Sequence, residues 1–233
     1  MENFVVAIDG PAGSGKSSIS KLVSEKLGFV HIDTGAMYRA VTLEALKLDI
    51  DLADETQYGF LDEISVVYMD DKIYLNGKDV SKQIRSKDVT NNVSIPSMIK
   101  KVRTKMVDYQ RESAKQGLVL MDGRDIGTTV LPNADVKIFL TASAEVRAER
   151  RLKEIIESGG KTDYNVVLEE IKARDFKDST REISPLAKAS DAILLDTSFM
   201  SIDEVVQEII KIINDKRFNK YEKHEWHFWH GKH

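Results

Sequence analysis

The 233-residue sequence contains no cysteine, which excludes structural disulfides and thiolate metal sites. No apolar run approaches the ~20 residues that a helix needs to cross a bilayer, so no membrane partner is expected. No excess of positive charge is present either: the net charge is −4 and the isoelectric point about 5.8. A general nucleic-acid or membrane-surface binder would need the opposite balance. Internal repeats and low-complexity linkers are also missing. The first residues read as a strand rather than a basic leader followed by an apolar segment, so the expected location is the cytoplasm. What remains is a chain with 42% hydrophobic residues, enough for a substantial core in one domain with inserted lobes.

Short strand-like runs recur at Phe4–Ile8, Phe29–Ile32, Leu118–Met121, Val136–Leu140 and Ala192–Leu195. Helical periods fall between most of them, at Ser17–Leu27, Ala36–Leu48, Ile99–Lys115, Ala144–Glu157, Val166–Phe176 and Ile202–Ile213. Strands alternating with helices predict an α/β fold with a mostly parallel sheet covered on both faces. One stretch breaks the rhythm. Ile64–Tyr68 and Lys72–Leu75 are short β-like runs joined at Met69-Asp70-Asp71 and followed by the turn pair Asn76-Gly77, which reads as a hairpin lobe over about residues 60 to 95. Residues 157 to 164, ESGGKTDY, form a polar joint between two charged helices, a suitable hinge for a lid. From Asp215 onward the apolar period is lost, and a disordered tail is expected.

Directly after the first strand stands Gly10, followed after four intervening residues by Gly15-Lys16-Ser17, the spacing of a phosphate loop. Backbone amides in such a loop point inward at phosphate oxygens, and the following helix contributes the positive end of its dipole. Lys16 would reach the β- and γ-phosphates and the Ser17 hydroxyl would ligate magnesium. A plain glycine-rich turn is the bland alternative, but the strand before and the helix after supply the context a real loop requires.

Three further stretches carry arginine and aspartate at loop positions. Asp33-Thr34-Gly35-Ala36-Met37-Tyr38-Arg39 follows the second strand, at the sheet edge where open parallel sheets bind ligands. Thr34 there reads as a helix cap, and Arg39 by itself as a solvated helix residue. Leu118–Asp125 delivers Asp122, Gly123, Arg124 and Asp125 to the same edge. Asp122 stands where a carboxylate would reach the Ser17 magnesium through water. Turn formation accounts for Asp122-Gly123 but not for Arg124 beside Asp125. In Arg174–Arg181, the residues Arg174, Asp178 and Arg181 share one helix face. A salt-bridge row would explain them, but with Arg147, Arg150 and Arg151 across the joint they suit a lid that neutralises a phosphoryl group.

These motifs, IDGPAGSGKS, DTGAMYRA, NGKDVSKQIRS, MDGRDIGTTVLP and REISPL, make the chain resemble the bacterial cytidylate kinases, P-loop nucleoside monophosphate kinases, from Met1 to about Lys216. The resemblance implies a P-loop NTPase-type three-layer fold with a central five-stranded parallel sheet. It divides residues 1–216 into a core (1–34, 96–156 and 182–216), an inserted monophosphate-binding lobe at about 35–95 and a short lid at about 157–181, with 217–233 as the tail. It implies transfer of the γ-phosphate of ATP to CMP or dCMP with Mg2+, by a monomer that binds neither nucleic acid nor membrane. The ATP site would comprise Gly10, Pro11, Ala12, Gly13, Ser14, Gly15, Lys16, Ser17 and Ser18. Arg39, Arg124 and Arg181 match the grip on the monophosphate. Ser94, Arg103 and Asp125 match positions near the pyrimidine, and Arg174 and Asp178 those near the ribose; Thr34 stands where serine is also common. Lys16, Arg124, Arg181 and Arg150 would stabilise the transferring group.

Two rivals set the limits of that reading. A UMP or small-metabolite kinase could use the same scaffold, and the Asp125–Arg103 pair favours cytosine. A GTP-dependent switch would need an Asn-Lys-x-Asp element, whereas Asn76-Gly77-Lys78-Asp79 carries an inserted glycine and lies in the hairpin lobe. The tail repeats His224, His227, His230 and His233 and holds both tryptophans. Metal or interface binding is conceivable there, but an inert extension is the simpler expectation.

Overall fold

The structure, a computed structural model, describes residues 3–69, 71–115 and 117–230, with side chains through residue 220. Five parallel strands, β1 (Phe4–Asp9), β2 (Val30–Asp33), β6 (Leu118–Gly123), β7 (Val136–Thr141) and β8 (Ile193–Asp196), form the central sheet in the order β2-β6-β1-β7-β8. Each begins within a residue or so of its apolar run. The inner strands β1, β6 and β7, covered on both faces, must be apolar at consecutive positions, whereas Ile193 and Leu194 of the edge strand β8 are exposed. The carboxyl end of each strand extends past the run into the first polar side chain, by one residue in four strands and by two in β6.

Side-chain alternation divides the core in two. Phe4, Val6 and Ile8 of β1 join Leu120 and Ile138 on one face, against Ile19 and Val23 of helix α1 (Lys16–Leu27) and Val205, Val206, Ile209 and Ile213 of α7 (Ile202–His230). Ala7, Val119 and Met121 face the other way, toward α2 (Thr34–Lys47) and α4 (Lys100–Ser113). That second core continues without a break into the inserted lobe through Tyr58, Leu61, Ile64, Val66, Ile73 and Leu75. Each such fully buried aliphatic or aromatic side chain contributes about 1.5–3 kcal/mol.

The lobe contains the expected hairpin, β3 (Val66–Met69) and β4 (Lys72–Leu75), extended by a short third strand β5 (Lys78–Asp79). Asn76 and Gly77 both adopt positive φ, 51° and 76°, the backbone a tight hairpin turn of this hand demands. A short helix, α3 (Lys87–Asn92), then leads back toward α4. α5 (Ala144–Glu157) and α6 (Tyr164–Thr180) pack on each other through Ala148, Val167 and Ile171, a third, small cluster. The joint between them falls at residues 158–163.

Two expectations require correction. Thr34 does not cap α2: Asp33 does, its Oδ1 accepting from Ala36 N at 3.0 Å, while Thr34 is the first helical residue. The helical backbone also does not stop where the apolar period fades. α7 continues through the expected tail region to His230. Its extension is held to the sheet's amino-terminal edge, where Lys220 Nζ donates to Asp135 Oδ1 at 2.7 Å and to the Asn3 carbonyl at 3.0 Å. Lys220 also lies over the Phe4 ring and Arg217 over the Phe29 ring, at 5.3 and 5.6 Å from the centroids. The side chains of His224, His227, His230 and His233 lie outside the described residues. Among the described residues, no helix is long and apolar enough to cross a membrane.

Candidate active site

All the loops that matter leave the carboxyl edge of the sheet. β1 runs into Gly10–Lys16, β2 into Asp33 and α2, β6 into Asp122–Asp125, and β7 into the amino end of α5. Gly10 is where side chains are excluded outright, since a Cβ there would sit 2.0 Å from the Leu140 carbonyl oxygen of the neighbouring strand. β1 and β7 therefore deliver the phosphate loop at its closest approach to the sheet.

Lys16 is buried, its Nζ donating to the Pro11 carbonyl at 3.0 Å. Burial, reinforced by the positive charges of Arg124 and Arg174, drives its pKa well below the usual lysine range, against the pull of Asp122 and Asp178. An ammonium so placed gains most from a bound polyanion. Ser17 Oγ donates to Asp122 Oδ1 at 2.8 Å, so the hydroxyl and carboxylate expected to serve one magnesium ion do meet. Thr34 Oγ1 donates to the Asp122 carbonyl at 2.8 Å, tying β2's exit to the same residue. Asp33 lies close by, its pKa raised by burial and by the Asp122 charge and held back by Arg39.

Hard oxygen donors of this kind suit Mg2+, which keeps several waters and substrate phosphates and needs only one or two protein oxygens. Among the described residues no group of three or more His, Cys, Asp or Glu forms a protein-only metal cage.

The arginines converge from three directions. From the β6 turn, Arg124 Nε donates to Asp178 Oδ2 of α6 at 2.9 Å. Burial opposes ionisation of Asp178, but Arg124 and Arg174 outweigh it and hold its carboxyl below the ordinary range. Arg174, crowded by burial and by Arg124, is lowered to about 10, and its buried Nε has no hydrogen-bond partner among the described residues. Arg39, on the first turns of α2, is buried enough that its pKa falls, with Asp33 opposing and Arg124 adding to the shift. Mutually repelling guanidinium groups with an unsatisfied donor have the chemistry that suits an anion.

A second cluster adjoins the first. Arg103 of α4 and Arg181 at the end of α6 each take one oxygen of Asp125, Arg181 at 3.2 Å, with all three buried. Arg103 Nη1 also donates to the Ser97 carbonyl at 3.2 Å, and Ser97 Oγ to that of Ser94 at 2.9 Å. The three residues expected near one pyrimidine, Ser94, Arg103 and Asp125, are thus linked in space despite their separation in sequence.

Arg150 is not brought to these groups. Its guanidinium donates to Thr197, to Oγ1 at 3.1 Å and to the carbonyl at 2.6 Å, in the loop after β8. The α5 arginine that reaches the phosphate loop is Arg147, one turn earlier. Its Nη1 donates to the Ala12 carbonyl at 2.8 Å and pairs with Asp175 Oδ2 at 2.6 Å. Asp175 Oδ1 in turn accepts from Ala12 N at 3.2 Å, so α6 grips the loop directly. Sequence reasoning passed over Asp175; its only signal was its place beside Arg174.

Two more residues were missed, Asp9 at the carboxyl end of β1 and His31 inside the apolar strand β2. Asp9 accepts from the backbone N–H groups of Ile126 and Gly127, both at 2.7 Å, and so positions the turn that carries Arg124 and Asp125. His31, in the middle of β2, contacts Asp122 Oδ2 at 2.7 Å through Nε2. Burial alone would lower its pKa, but the Asp122 hydrogen bond and charge outweigh that and raise it.

Comparison with known proteins agrees with this geometry. The family model described as cytidylate kinase matches residues 6–215. A cytidylate kinase of Acholeplasma laidlawii (strain PG-8A) is 52% identical over 217 residues, covering 93% of this chain and 98% of that relative. One from Ligilactobacillus salivarius (strain UCC118) is 51% identical over 221 residues, covering 93% of this chain and 99% of its own. Among solved structures, a gluconokinase from Sinorhizobium meliloti 1021 aligns with a TM-score of 0.52 at 14% identity, covering 94% of this chain and 97% of that one. An uncharacterized protein from Eubacterium ventriosum ATCC 27560 aligns at 0.53 and 15%, covering 91% and 99%. At such identities the structural likeness concerns the fold alone. Motifs, sheet order, site and sequence relatives agree, and the chain belongs to the cytidylate kinase family.

Proposed function

We propose that this chain transfers the γ-phosphate of ATP to CMP or dCMP, yielding ADP and the corresponding diphosphate. The observation that carries this reading is the Arg124–Asp178 contact at 2.9 Å, which brings the β6 turn and α6 together within the electrostatic reach of Lys16. Donor phosphates on the Gly10–Ser18 loop would thereby face an acceptor phosphate held by Arg39, Arg124 and Arg181.

An oxygen of the acceptor's 5′-phosphate attacks the γ-phosphorus in line. The bond to the bridging oxygen of the β-phosphate breaks, and its electrons leave with ADP. No covalent enzyme intermediate and no general base are needed, because the demand is for positioning and charge neutralisation. Lys16 neutralises the donor's terminal phosphates, and Arg124 and Arg181 the oxygens that gather charge between the nucleotides. Ser17, with Asp122 behind it, would hold Mg2+, which when bound neutralises and orients the β- and γ-phosphate oxygens. Asp178 and Arg174 would contact the ribose, and Ser94, Arg103 and Asp125 the base. A carboxylate facing the 4-position accepts from the cytosine amino group and repels the uracil carbonyl.

Arg147 and Asp175 fasten the 157–181 lid segment to the phosphate loop, and Arg150 braces the loop after β8. The reading extends to a cytoplasmic monomer whose partners are nucleotides rather than nucleic acid. A coupled ADP-release assay with CMP, dCMP, UMP and AMP, titrated with Mg2+, tests it. CMP and dCMP should exceed UMP and AMP by at least tenfold in kcat/KM, with no turnover in chelator. A preference for UMP or AMP would overturn the acceptor assignment, and metal-independent turnover the role given to Ser17.

A further inference from the structure

We propose that His31 is a positioning residue for the carboxylate behind the metal site, clamping Asp122 so that its Oδ1 faces Ser17. The inference rests on the reading that Ser17 and Asp122 serve Mg2+.

The two oxygens of Asp122 are divided between two partners. Oδ1 accepts from Ser17 Oγ at 2.8 Å, and Oδ2 lies 2.7 Å from His31 Nε2. An ionised carboxylate only accepts, so the proton between them belongs to Nε2. A carboxylate's terminal torsion has a broad, shallow minimum, and one hydrogen bond to Ser17 would leave it free to swing. The second bond, from the opposite side, removes that freedom. Partners outside the ligand shell orient metal ligands in just this manner and typically change metal affinity 10- to 100-fold when lost.

His31 itself is fixed from the inserted lobe. Its ring meets the Tyr68 ring edge-on at 6.1 Å between centroids. Its Nδ1, which has no hydrogen-bond partner among the described residues, lies 3.8 Å from Asp71 Oδ1 in the β3–β4 turn. The other oxygen of Asp71 pairs at 2.8 Å with Lys21 of α1, the helix that carries Ser17. Asp71 holds positive φ, 57°, a conformation aspartate tolerates better than most residues. A continuous path therefore runs from the hairpin turn of the acceptor lobe through His31 and Asp122 to Ser17. Filling space beneath Tyr68 would not require the imidazole to meet a carboxylate at 2.7 Å.

Glutamine can place an amide N–H where Nε2 stands, whereas asparagine is too short, so the two variants separate clamping from mere polarity. His31→Asn should raise the Mg2+ concentration needed for half-maximal ATP binding, measured by calorimetry without acceptor, by about tenfold. The KM for CMP should stay within about twofold, and His31→Gln should lie within about threefold of the wild type. Asp122→Asn serves as the control and should weaken Mg2+-dependent ATP binding at least as much as His31→Asn.

A normal metal dependence in His31→Asn, while Asp122→Asn is impaired, would overturn the clamp and leave the metal reading standing. Equal impairment of Gln and Asn would also overturn it, reducing His31 to packing. If Asp122→Asn and Ser17→Ala both bind Mg·ATP normally, the metal reading falls and the clamp with it. The wild-type chain supplies a readout that needs no variant: the His31 Nε2 proton should appear in NMR spectra as a slowly exchanging imidazole N–H. Its rapid exchange with water would count against the clamp regardless of how the variants fold.

Discussion

Arg103 and Asp125, 22 residues apart in sequence, form a buried ion pair whose carboxylate is shared with Arg181 at 3.2 Å. A residue expected to read the base is therefore also the counter-charge for two buried guanidinium groups. A carboxylate has about four acceptor sites, so both roles fit one side chain.

Removing Asp125 should accordingly act twice. Asp125→Ala should lower kcat/KM for CMP by about 1–3 kcal/mol and reduce the ratio of CMP to UMP turnover. It should also lower the unliganded chain's stability by about 3–5 kcal/mol, because two buried cations lose their partner. Steady-state kinetics with both acceptors, together with urea unfolding, separate the effects. An equal loss for CMP and UMP would leave only the structural one.

Lys16→Ala should lower kcat by about 10²–10³-fold, the loss expected when one donor to a developing phosphoryl charge is removed. CMP affinity, measured by calorimetry without ATP, should change little, since the acceptor is assigned to Arg39, Arg124 and Arg181. Near-normal turnover at saturating Mg·ATP would remove Lys16 from the site.

Asp9 gives stability a pH dependence of known sign. Burial raises its pKa from 3.8 to about 6, against the lowering effect of the Gly127 and Ile126 N–H groups. The folded chain therefore binds this proton more tightly than the unfolded chain. The resulting contribution is fully present below about pH 4 and is lost as pH rises through about 6, a change of roughly 3 kcal/mol. Other carboxyls, such as Asp178, shift the opposite way, so the difference between chains is the useful quantity. Asp9→Asn should abolish this decline, so that from pH 4 to 6.5 its unfolding free energy rises relative to the wild type. Parallel stability curves would show that Asp9 titrates normally.

Truncation after Lys216 should lower stability by about 1–2 kcal/mol and leave kcat unchanged. It removes the Lys220–Asp135 pair and two cation–ring contacts at the far end of the sheet from the site. The double substitution Arg217→Ala, Lys220→Ala should reproduce most of that loss in a thermal melt. An unchanged Tm in both would mean the extension of α7 adds nothing.

The phosphate loop, the five strands and most of the helices were legible in the sequence because their signals are local. A strand buried on both faces shows as a short apolar run, a helix as a 3.6-residue period, and the loop as glycine, lysine and serine at set spacing. At the end of α7, where fading apolarity was the only guide, the boundary failed. The extension of α7 is held by Lys220 and Arg217, charged residues whose partners Asp135, Phe4 and Phe29 lie far away in sequence.

The site divides along the same line. Gly10, Lys16, Ser17, Asp122, Arg124 and Asp125 follow strands directly, and a parallel sheet delivers whatever follows its strands to one edge. Sequence alone therefore determined that these six gather there. It did not determine their pairing. Arg147 rather than Arg150 reaches the phosphate loop because of where α5 sets down on α6. Asp9, at the carboxyl end of β1, and His31, within β2, acquire roles only because sheet packing brings them to the β6 exit. Buried polar groups must find partners, and which partners they find depends on the register and packing of elements distant in the chain, information that no local pattern carries.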